Sequence, residues 1–216
     1  MDQGRDAPTP TGGWSEAVQV DWYTERIGKL EARLTGERML VDVLPSSPRR
    51  LVDLGAGDGR LAALILDHRP SIEEVVIADR SAPMLALAQK RFALDARVQI
   101  VESDLCEPIT ALGRFDLFVS GFAIHHLEHD RKRALFEEIR RQAETPGVFI
   151  NLEVGASATA ERHAEFLQLI GRTVDDPEDR LLGVEEQLGW MTDAGMVNVD
   201  CLWRWRGFAL LFGELR

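Results

Sequence analysis

The sequence predicts an α/β fold built on a doubly wound, mostly parallel sheet. Two observations predict this fold. Short apolar runs alternate with segments of helical composition, and the first run, Arg50–Leu54, leads through a glycine turn into a helical segment at Leu61. A short apolar run is typical of a buried strand. In doubly wound domains, a strand, a glycine turn and a helix in this order bring backbone N–H groups to a ligand.

The core of the chain divides into strands and the helices that connect them. The pattern predicts parallel strands near 50–54, 74–79, 97–102, 115–120 and 147–153, with helices near 58–68, 83–93 and 130–143. A helix over 184–194 then precedes two strand-like runs at 197–203 and 207–212, which we expect to close the sheet as an antiparallel hairpin. We therefore expect one seven-stranded domain over residues 14–216.

The flanking segments differ in composition from this core. Residues 1–13 are polar and contain proline and glycine, and we expect them to be disordered. Residues 14–45 predict N-terminal helices that form a lid. Residues 155–182 combine a helical segment with a charged break around Pro177, which predicts a helical insertion after the fifth strand. This insertion either helps to form an acceptor pocket or is an ordinary connection.

Composition narrows the classes of partner. A net charge of −11 and a pI near 5.0 disfavour a nucleic-acid partner, which needs clustered Lys and Arg. Two distant cysteines, Cys106 and Cys201, indicate neither a disulfide framework nor a metal site. The chain shows no signal peptide and no apolar stretch long enough to span a bilayer. We expect a cytoplasmic monomer or homodimer without a metal.

The glycine turn argues against a dinucleotide cofactor. Gly55, Gly57 and Gly59 follow the pattern G-x-G-x-G, and Arg60 stands where the dinucleotide fingerprint has its third glycine. Asp53 comes just before the turn, at the predicted strand end. A carboxylate there suits a cationic group, such as an amino-acid ammonium, better than a pyrophosphate.

Carboxylates also follow the next two predicted strands. Asp79 ends the second strand, where folds of this class hold ribose hydroxyls. Asp104 and Leu105 follow the third strand, and a carboxylate there can accept a hydrogen bond from an adenine amine. The fourth strand, 115–120, opens into a turn that contains His125-His126-Leu127. Because parallel strands end at one edge of a sheet, these groups are expected to surround one ligand.

In their order and spacing, these features resemble the class I S-adenosylmethionine (SAM)-dependent methyltransferases. The resemblance covers roughly residues 20 to 216. It implies that the loop from Asp53 to Gly59 holds the methionine moiety of SAM, Asp79 the ribose diol, and Asp104 with Leu105 the adenine. The resemblance also implies S-adenosylhomocysteine (SAH) as the product.

The resemblance suggests further contacts to the cofactor. Tyr23 and Arg26 on the predicted lid match relatives in which these side chains close over the SAM carboxylate, although a plain amphipathic helix could also carry both. Four more residues follow the second and fourth strands and are expected at the cofactor: Arg80, Met84, Ser120 and Phe122.

Methyl transfer from a sulfonium depends mainly on alignment of the acceptor with the methyl group. A base is needed only if the acceptor must lose a proton. His126, His125 and Glu153 are the candidates, because they lie at the expected ligand-binding edge. The alternative is that an imidazole hydrogen-bonds the backbone or sits beneath the cofactor, and that Glu153 is simply a polar strand end.

The sequence thus predicts a SAM-dependent methyltransferase that acts on a small molecule. One alternative is transfer of a methyl group or a SAM-derived group to tRNA or protein. The adenine-methylating signature, Asn or Asp followed by Pro-Pro and an aromatic residue, is absent after the fourth strand, where 120–123 reads Ser-Gly-Phe-Ala. The other alternative is a SAM-binding sensor or partner subunit without turnover.

Overall fold

The structure is a computed structural model that describes residues 30–216. The predictions for the tail 1–13, for Tyr23 and Arg26, and for the first half of the segment 14–45 lie outside the described residues. Within residues 30–216, no helix is long and apolar enough to cross a membrane.

Seven strands form one sheet in the order β3-β2-β1-β4-β5-β7-β6. Strands β1 to β5 are parallel, and β7 lies antiparallel between β5 and β6. The predicted sheet and its closing hairpin are confirmed. The strands are β1 (Arg50–Leu54), β2 (Glu74–Asp79), β3 (Val98–Glu102), β4 (Phe115–Gly121), β5 (Ala143–Val154), β6 (Val197–Trp205) and β7 (Phe208–Leu215).

Helices cover both faces of this sheet, as the alternating pattern predicts. In the described part of the chain they are α1 (Glu31–Val43), α2 (Arg60–His68), α3 (Ala82–Arg91), α4 (His129–Gln142), α5 (Ala160–Leu169) and α6 (Val184–Asp193). Two 3₁₀ turns, Ile109–Leu112 and Ile124–His126, lie beside β4. The helix α5 lies in the segment where an insertion after the fifth strand was predicted.

Strand β5 begins earlier than the sequence indicates. Glu144-Thr145-Pro146-Gly147 reads as a turn, yet Ala143 pairs with Phe115 ahead of a register shift, and the strand continues to Val154. Pairing with β4 therefore overrides the local turn signal. This difference lies at the end of the sheet opposite the predicted ligand-binding edge.

Two hydrophobic cores result from the alternation of side chains along the central strands. Leu51 packs on the face covered by α1, α2 and α3, with Leu40, Leu61 and Leu85. Its neighbours Val52 and Leu54 point the other way, toward α4 and α6. Strands buried on both faces explain the nearly continuous apolar runs from which they were predicted.

The order of the strands reverses beside β1, which pairs with β2 on one side and β4 on the other. In open α/β sheets, ligands bind outside the carboxyl ends of the strands at such a switch point. This places the loops after β1 and β4 next to each other at the expected site.

Candidate active site

A cavity of about 300 Å³ lies at the carboxyl edge of the parallel strands. Loops that follow β1 to β4 line it, together with α1 and the segment after α5. A volume of this order suits a small molecule. The structure brings together ten of the residues predicted for the site: Asp53, Gly55, Gly57, Asp79, Arg80, Met84, Asp104, Leu105, Phe122 and His126.

The glycine loop after β1 needs a left-handed backbone. The φ angle is +68° at Gly55 and +56° at Gly57, a region that residues with a side chain rarely adopt. A Cβ on Gly55 would lie 2.3 Å from the Cβ of Ala123, so this glycine lets the loop after β4 approach. A Cβ on Gly57 would meet nothing closer than Met84 at 3.8 Å. Gly57 therefore presents bare backbone to the cavity.

Gly59 differs from the two preceding glycines, because it does not line the cavity. It precedes α2 with a φ of +74°, and a Cβ there would lie 2.5 Å from the Phe92 ring. A cofactor contact at Gly59 stays a prediction. Gly59 allows the turn into α2 and the packing of Phe92.

Asp53 lies at the cavity wall and is completely buried. Its Oδ2 accepts a hydrogen bond from the backbone N–H of Ala62 at 3.2 Å, whereas Oδ1 has no hydrogen-bond partner among the described residues. Burial raises the pKa of this carboxyl to about 7, and the nearby Asp79 and Asp58 add to the effect. An acceptor of this kind is suited to a cationic ligand group.

Asp79 connects the end of β2 to the glycine loop. Its Oδ2 accepts a hydrogen bond from the Gly57 N–H at 2.8 Å, and its Oδ1 accepts one from the Ser81 N–H at 2.7 Å. Burial raises the pKa of Asp79, while these N–H donors oppose the rise. Asp104 is held in a similar way, because its Oδ1 accepts a hydrogen bond from the Cys106 N–H at 2.9 Å.

Helix α1 adds an ionic group that sequence reasoning missed. Glu37 accepts a hydrogen bond from Arg33 at 3.0 Å and another from Arg60 at 2.7 Å, and all three residues line the cavity. The Arg33 guanidinium also lies 4.9 Å from the centre of the Phe122 ring. This wall of the cavity thus carries two guanidinium groups and one carboxylate. Spacing along the sequence cannot reveal the group, because α1 and α2 meet only through the tertiary fold.

Two predicted cofactor contacts at the end of β4, Ser120 and Phe122, have different environments, and both contacts stay predictions. The Ser120 hydroxyl donates a hydrogen bond to the Leu54 carbonyl oxygen at 2.8 Å, and Ser120 does not line the cavity. Its role is to join β4 to β1. Phe122, in contrast, does line the cavity and has a φ of +57°, which is strained for a residue with a side chain. Such strain is typical of functional sites.

The two histidines after β4 have different environments. His125 Nδ1 lies 2.6 Å from Glu153 Oε1, both side chains are buried, and neither residue lines the cavity. A catalytic role of His125 or Glu153 stays a prediction. His126 does line the cavity. Burial, with a smaller effect of the His125 ring, lowers the pKa of His126 to about 2, so its imidazole is neutral but only weakly basic.

Comparison with known proteins identifies the domain. The family model described as a methyltransferase domain matches residues 51–147, which includes the glycine loop and the strands β1 to β4. Residues 51–147 are therefore similar to a methyltransferase domain, which supports a class I SAM-dependent methyltransferase. Among curated proteins, it is 33% identical over 100 residues to an uncharacterised methyltransferase of Mycobacterium tuberculosis, covering 46% of this chain and 49% of that protein.

Other relatives of this methyltransferase domain extend the comparison. It is 33% identical over 117 residues to a demethylmenaquinone methyltransferase of Thermus thermophilus, with 53% of this chain and 52% of that protein covered. The match thus spans about half the length of these curated relatives. An O-methyltransferase family protein from Burkholderia thailandensis has the same fold, with a TM-score of 0.72, 17% identity, and coverage of 92% of this chain and 60% of that one.

The cofactor of class I methyltransferases is SAM. Human N-acetylserotonin methyltransferase, solved in complex with SAM, has the same fold, with a TM-score of 0.62 and 13% identity. The similarity covers 93% of this chain and 59% of that one. The residues of the cavity fit this cofactor. The decisive observation is the buried Oδ1 of Asp53, which has no hydrogen-bond partner among residues 30–216. A ligand that carries an ammonium group would supply this donor.

The segment after α5 also contributes to the methyltransferase cavity in a way that the sequence did not indicate. Glu178 and Arg180 line it, and Glu178 Oε2 accepts a hydrogen bond from Arg80 at 2.7 Å. The Arg180 N–H donates to the His125 carbonyl oxygen at 2.8 Å, which docks this segment on the loop after β4. The charged break around Pro177 was the available signal, but it did not show which residues reach the site.

Proposed function

We propose that this protein transfers a methyl group from SAM to a small-molecule acceptor by in-line displacement. The observation that carries the proposal is the ring of strand-end carboxylates around a bare glycine loop, with Asp53 Oδ1 buried and without a donor. When bound, SAM supplies an electrophilic methyl group on a sulfonium, and SAH is the good leaving group. The protein's own residues bind, orient and enclose the reactants.

The proposed cofactor contacts follow from the charges of the cavity. Asp53 accepts from the methionine ammonium, and the guanidinium groups of Arg33 and Arg60 face the methionine carboxylate. Asp79 accepts from the ribose hydroxyls, and Asp104 with Leu105 borders the adenine. Each oxygen that already accepts a backbone N–H keeps a second lone pair for this purpose.

Phe122 and His126 are the proposed contacts of the acceptor. Both line the same cavity as the carboxylates, and the segment 176–180 closes its side. The low pKa of His126 favours alignment of the acceptor over abstraction of a proton. A role of His126 as the general base stays a prediction. In this proposal the contact between His125 and Glu153 positions the loop that carries His126.

A small molecule is the favoured acceptor because of charge. The chain carries a net charge of −11, which opposes a polyanion. The demethylmenaquinone methyltransferase among the relatives supports a small-molecule acceptor, whereas a ribosomal RNA methyltransferase of Cronobacter sakazakii, 28% identical over 119 residues, supports the alternative.

Calorimetry with a conservative variant tests the cofactor proposal. Asp79→Asn keeps one oxygen acceptor but removes the charge, and we expect its affinities for SAM and SAH to fall about 10- to 100-fold, the size of a charged hydrogen bond. Asp67→Asn, on the exposed face of α2, is the matched control and should bind like wild type. Equal affinity of all three proteins would remove Asp79 from the proposed ribose site.

Turnover is tested separately by SAH release in the presence of metabolite fractions and of total RNA. We expect release with a small-molecule fraction and none with RNA alone. Release that depends on RNA would overturn the choice of acceptor class, and SAM binding without release in either fraction would favour a sensor.

A further inference from the structure

A group of buried ligand atoms lies directly beside the cavity. Asp179 Oδ1 is 3.4 Å from His125 Nε2 and 3.3 Å from His126 Nδ1, and all three atoms lie within 4.8 Å of one another. The side chains of His125, His126 and Asp179 are 8%, 15% and 9% exposed. Water therefore has little access to three groups that all carry lone pairs.

The contacts of His125 and Asp179 show which of their atoms face the middle of this group. His125 Nδ1 lies 2.6 Å from Glu153 Oε1, so Glu153 occupies this side of the ring, and Nε2 is the ring atom that faces Asp179. Among the described residues, no hydrogen bond reaches Asp179 Oδ1. A single added proton can join only one nitrogen to this oxygen, whereas one cation can interact with all three atoms.

We propose that His125 Nε2, His126 Nδ1 and Asp179 Oδ1 bind a divalent transition-metal ion, with Zn²⁺ as the expected ion. In a tetrahedral site with bonds of about 2.0–2.1 Å, the ligand atoms are about 3.3–3.4 Å apart. The separations of Asp179 Oδ1 from His126 Nδ1 and His125 Nε2, 3.3 and 3.4 Å, agree with this value. Two imidazoles and one carboxylate favour zinc over Mg²⁺, which prefers oxygen ligands alone.

Glu153 is not a ligand in this proposal but supports one, because it contacts the other ring nitrogen of His125. A metal-binding histidine commonly donates its other N–H to a carboxylate, which fixes the ring and increases its donor strength. The contact between His125 and Glu153 is of this kind, and Glu153 is only 1% exposed. The same contact explains why a glutamate is buried at the end of β5.

The backbone holds the two parts of the site together. The His125 carbonyl oxygen accepts hydrogen bonds from the Arg180 N–H at 2.8 Å and from Lys132 Nζ at 3.4 Å. Lys132 Nζ also donates to the Arg180 carbonyl oxygen. The histidines after β4 and Asp179 are thus fixed relative to each other without the metal. The carboxylates of Glu153 and Asp179 offset the positive charge that Lys132 places nearby.

Three protein ligands leave the fourth tetrahedral position open, as in catalytic zinc sites. His126 lines the cavity, so the metal lies between the cavity and the segment 155–182. With His126 Nδ1 bound to a metal, this nitrogen cannot also accept a proton from an acceptor. Metal binding itself does not depend on the proposed methyl transfer.

Zinc titration of untagged, chelator-treated protein tests this proposal. By calorimetry we expect one equivalent of Zn²⁺ to bind to wild type and no Mg²⁺. Asp179→Asn and His126→Ala should lower zinc affinity by at least about 100-fold, and Glu153→Gln by about 10- to 100-fold. His68→Ala, at an exposed histidine of α2, is the control and should bind zinc like wild type.

Two further measurements keep the test decisive. Co²⁺ titrated into wild type should give the intense visible absorption of tetrahedral coordination, which needs no variant. Circular dichroism in metal-free buffer confirms that each variant is folded before it is compared. Absence of stoichiometric zinc binding by wild type, or equal binding by folded Asp179→Asn and His68→Ala, would overturn the proposal. Because SAM binding is measured separately, failure here is distinguishable from failure of the proposed function.

Discussion

The buried carboxyl of Asp53 lowers the stability of the folded protein and at the same time favours the binding of a cationic group. A carboxylate inside the protein without a cation is unfavourable, because desolvation is not offset by hydrogen bonds. The structure shows one accepted hydrogen bond and one oxygen without a donor. A cationic group that binds beside Asp53 offsets this unfavourable desolvation free energy. The residue therefore favours the ligand-bound state of the cavity.

This residue makes stability depend on pH. The pKa of Asp53 is raised to about 7 in the folded state, so between its unfolded pKa and pH 7 the folded state holds a proton that the unfolded state has released. Stability is therefore lost as pH rises through this window. Asp53→Asn removes the effect. Relative to wild type, its free energy of unfolding should increase by about 2 kcal/mol between pH 5.5 and pH 8.

Urea unfolding at both pH values measures this change, with the exposed Asp67→Asn as the control that shows none. The same Asp53→Asn variant should bind SAM more weakly, by about 10-fold, because the ammonium loses a charged partner. A pH-independent difference between variant and wild type would contradict the assigned environment of Asp53.

Gly55, Gly57 and Gly171 all have a positive φ, so their alanine variants can be compared with one another. Gly57→Ala and Gly171→Ala both place a side chain at positive φ, +56° and +76°, and neither meets a close neighbour. Each should lose about 1–2 kcal/mol of unfolding free energy. Gly55→Ala adds a clash with Ala123 and should lose more. Denaturant unfolding measures the losses.

SAM titration then separates binding from folding in these variants. Only Gly57→Ala should combine a mild loss of stability with weaker SAM binding, because its methyl group enters the cavity. If Gly57→Ala binds SAM as Gly171→Ala does, then the glycine loop does not contact the cofactor.

At the scale of elements, an ion group links α1 to α2. Glu37 lies between Arg33 and Arg60, and the side chains of Arg33 and Glu37 are 8% and 6% exposed. Removal of the Glu37 charge weakens the compensation of two guanidinium groups in a poorly solvated site. Glu37→Gln should therefore lower the free energy of unfolding by about 3 kcal/mol.

Glu31→Gln is the matched control on the same helix. Glu31 pairs with Arg38 where both side chains are more than half exposed, and its loss should cost less than about 1 kcal/mol. Urea denaturation compares both variants with wild type. Equal losses would show that the group at the cavity does not stabilise the contact of α1 with α2.

The elements also show what a sequence can predict. The carboxylates Asp53, Asp79 and Asp104 were found because each follows its own strand, and parallel strands end at a common edge. Arg33 and Glu178 could not be found in this way. They reach the site from α1 and from an irregular segment, and no local periodicity encodes how such elements dock.

The histidines show the same limit within one loop. The pattern His125-His126 places both residues at the correct edge of the sheet, but adjacent residues can point in opposite directions. Only the packing against β5 decides that His125 turns to Glu153 and His126 to the cavity. The fold was therefore predictable from alternation, and the orientation of side chains was not.

For the whole molecule, ligand binding should appear as thermal stabilisation. SAM at 100 times its Kd should add about 2.7 kcal/mol to the free energy of unfolding. For a chain of 216 residues, this corresponds to a rise in Tm of roughly 5–10 °C. Differential scanning calorimetry measures the shift, with ATP as the control ligand that shares adenine and ribose. An equal rise with ATP would contradict selectivity for the methionine end.

The bridge from Arg80 to Glu178 has a consequence for the rate at which ligands leave. It joins the edge of β2 to the segment after α5, and its side chains are 45% and 37% exposed. A pair this accessible contributes at most about 1 kcal/mol and is weakened by salt. This contact across the side of the cavity should therefore break readily. We expect the residence time of a bound nucleoside to shorten up to several-fold as ionic strength rises.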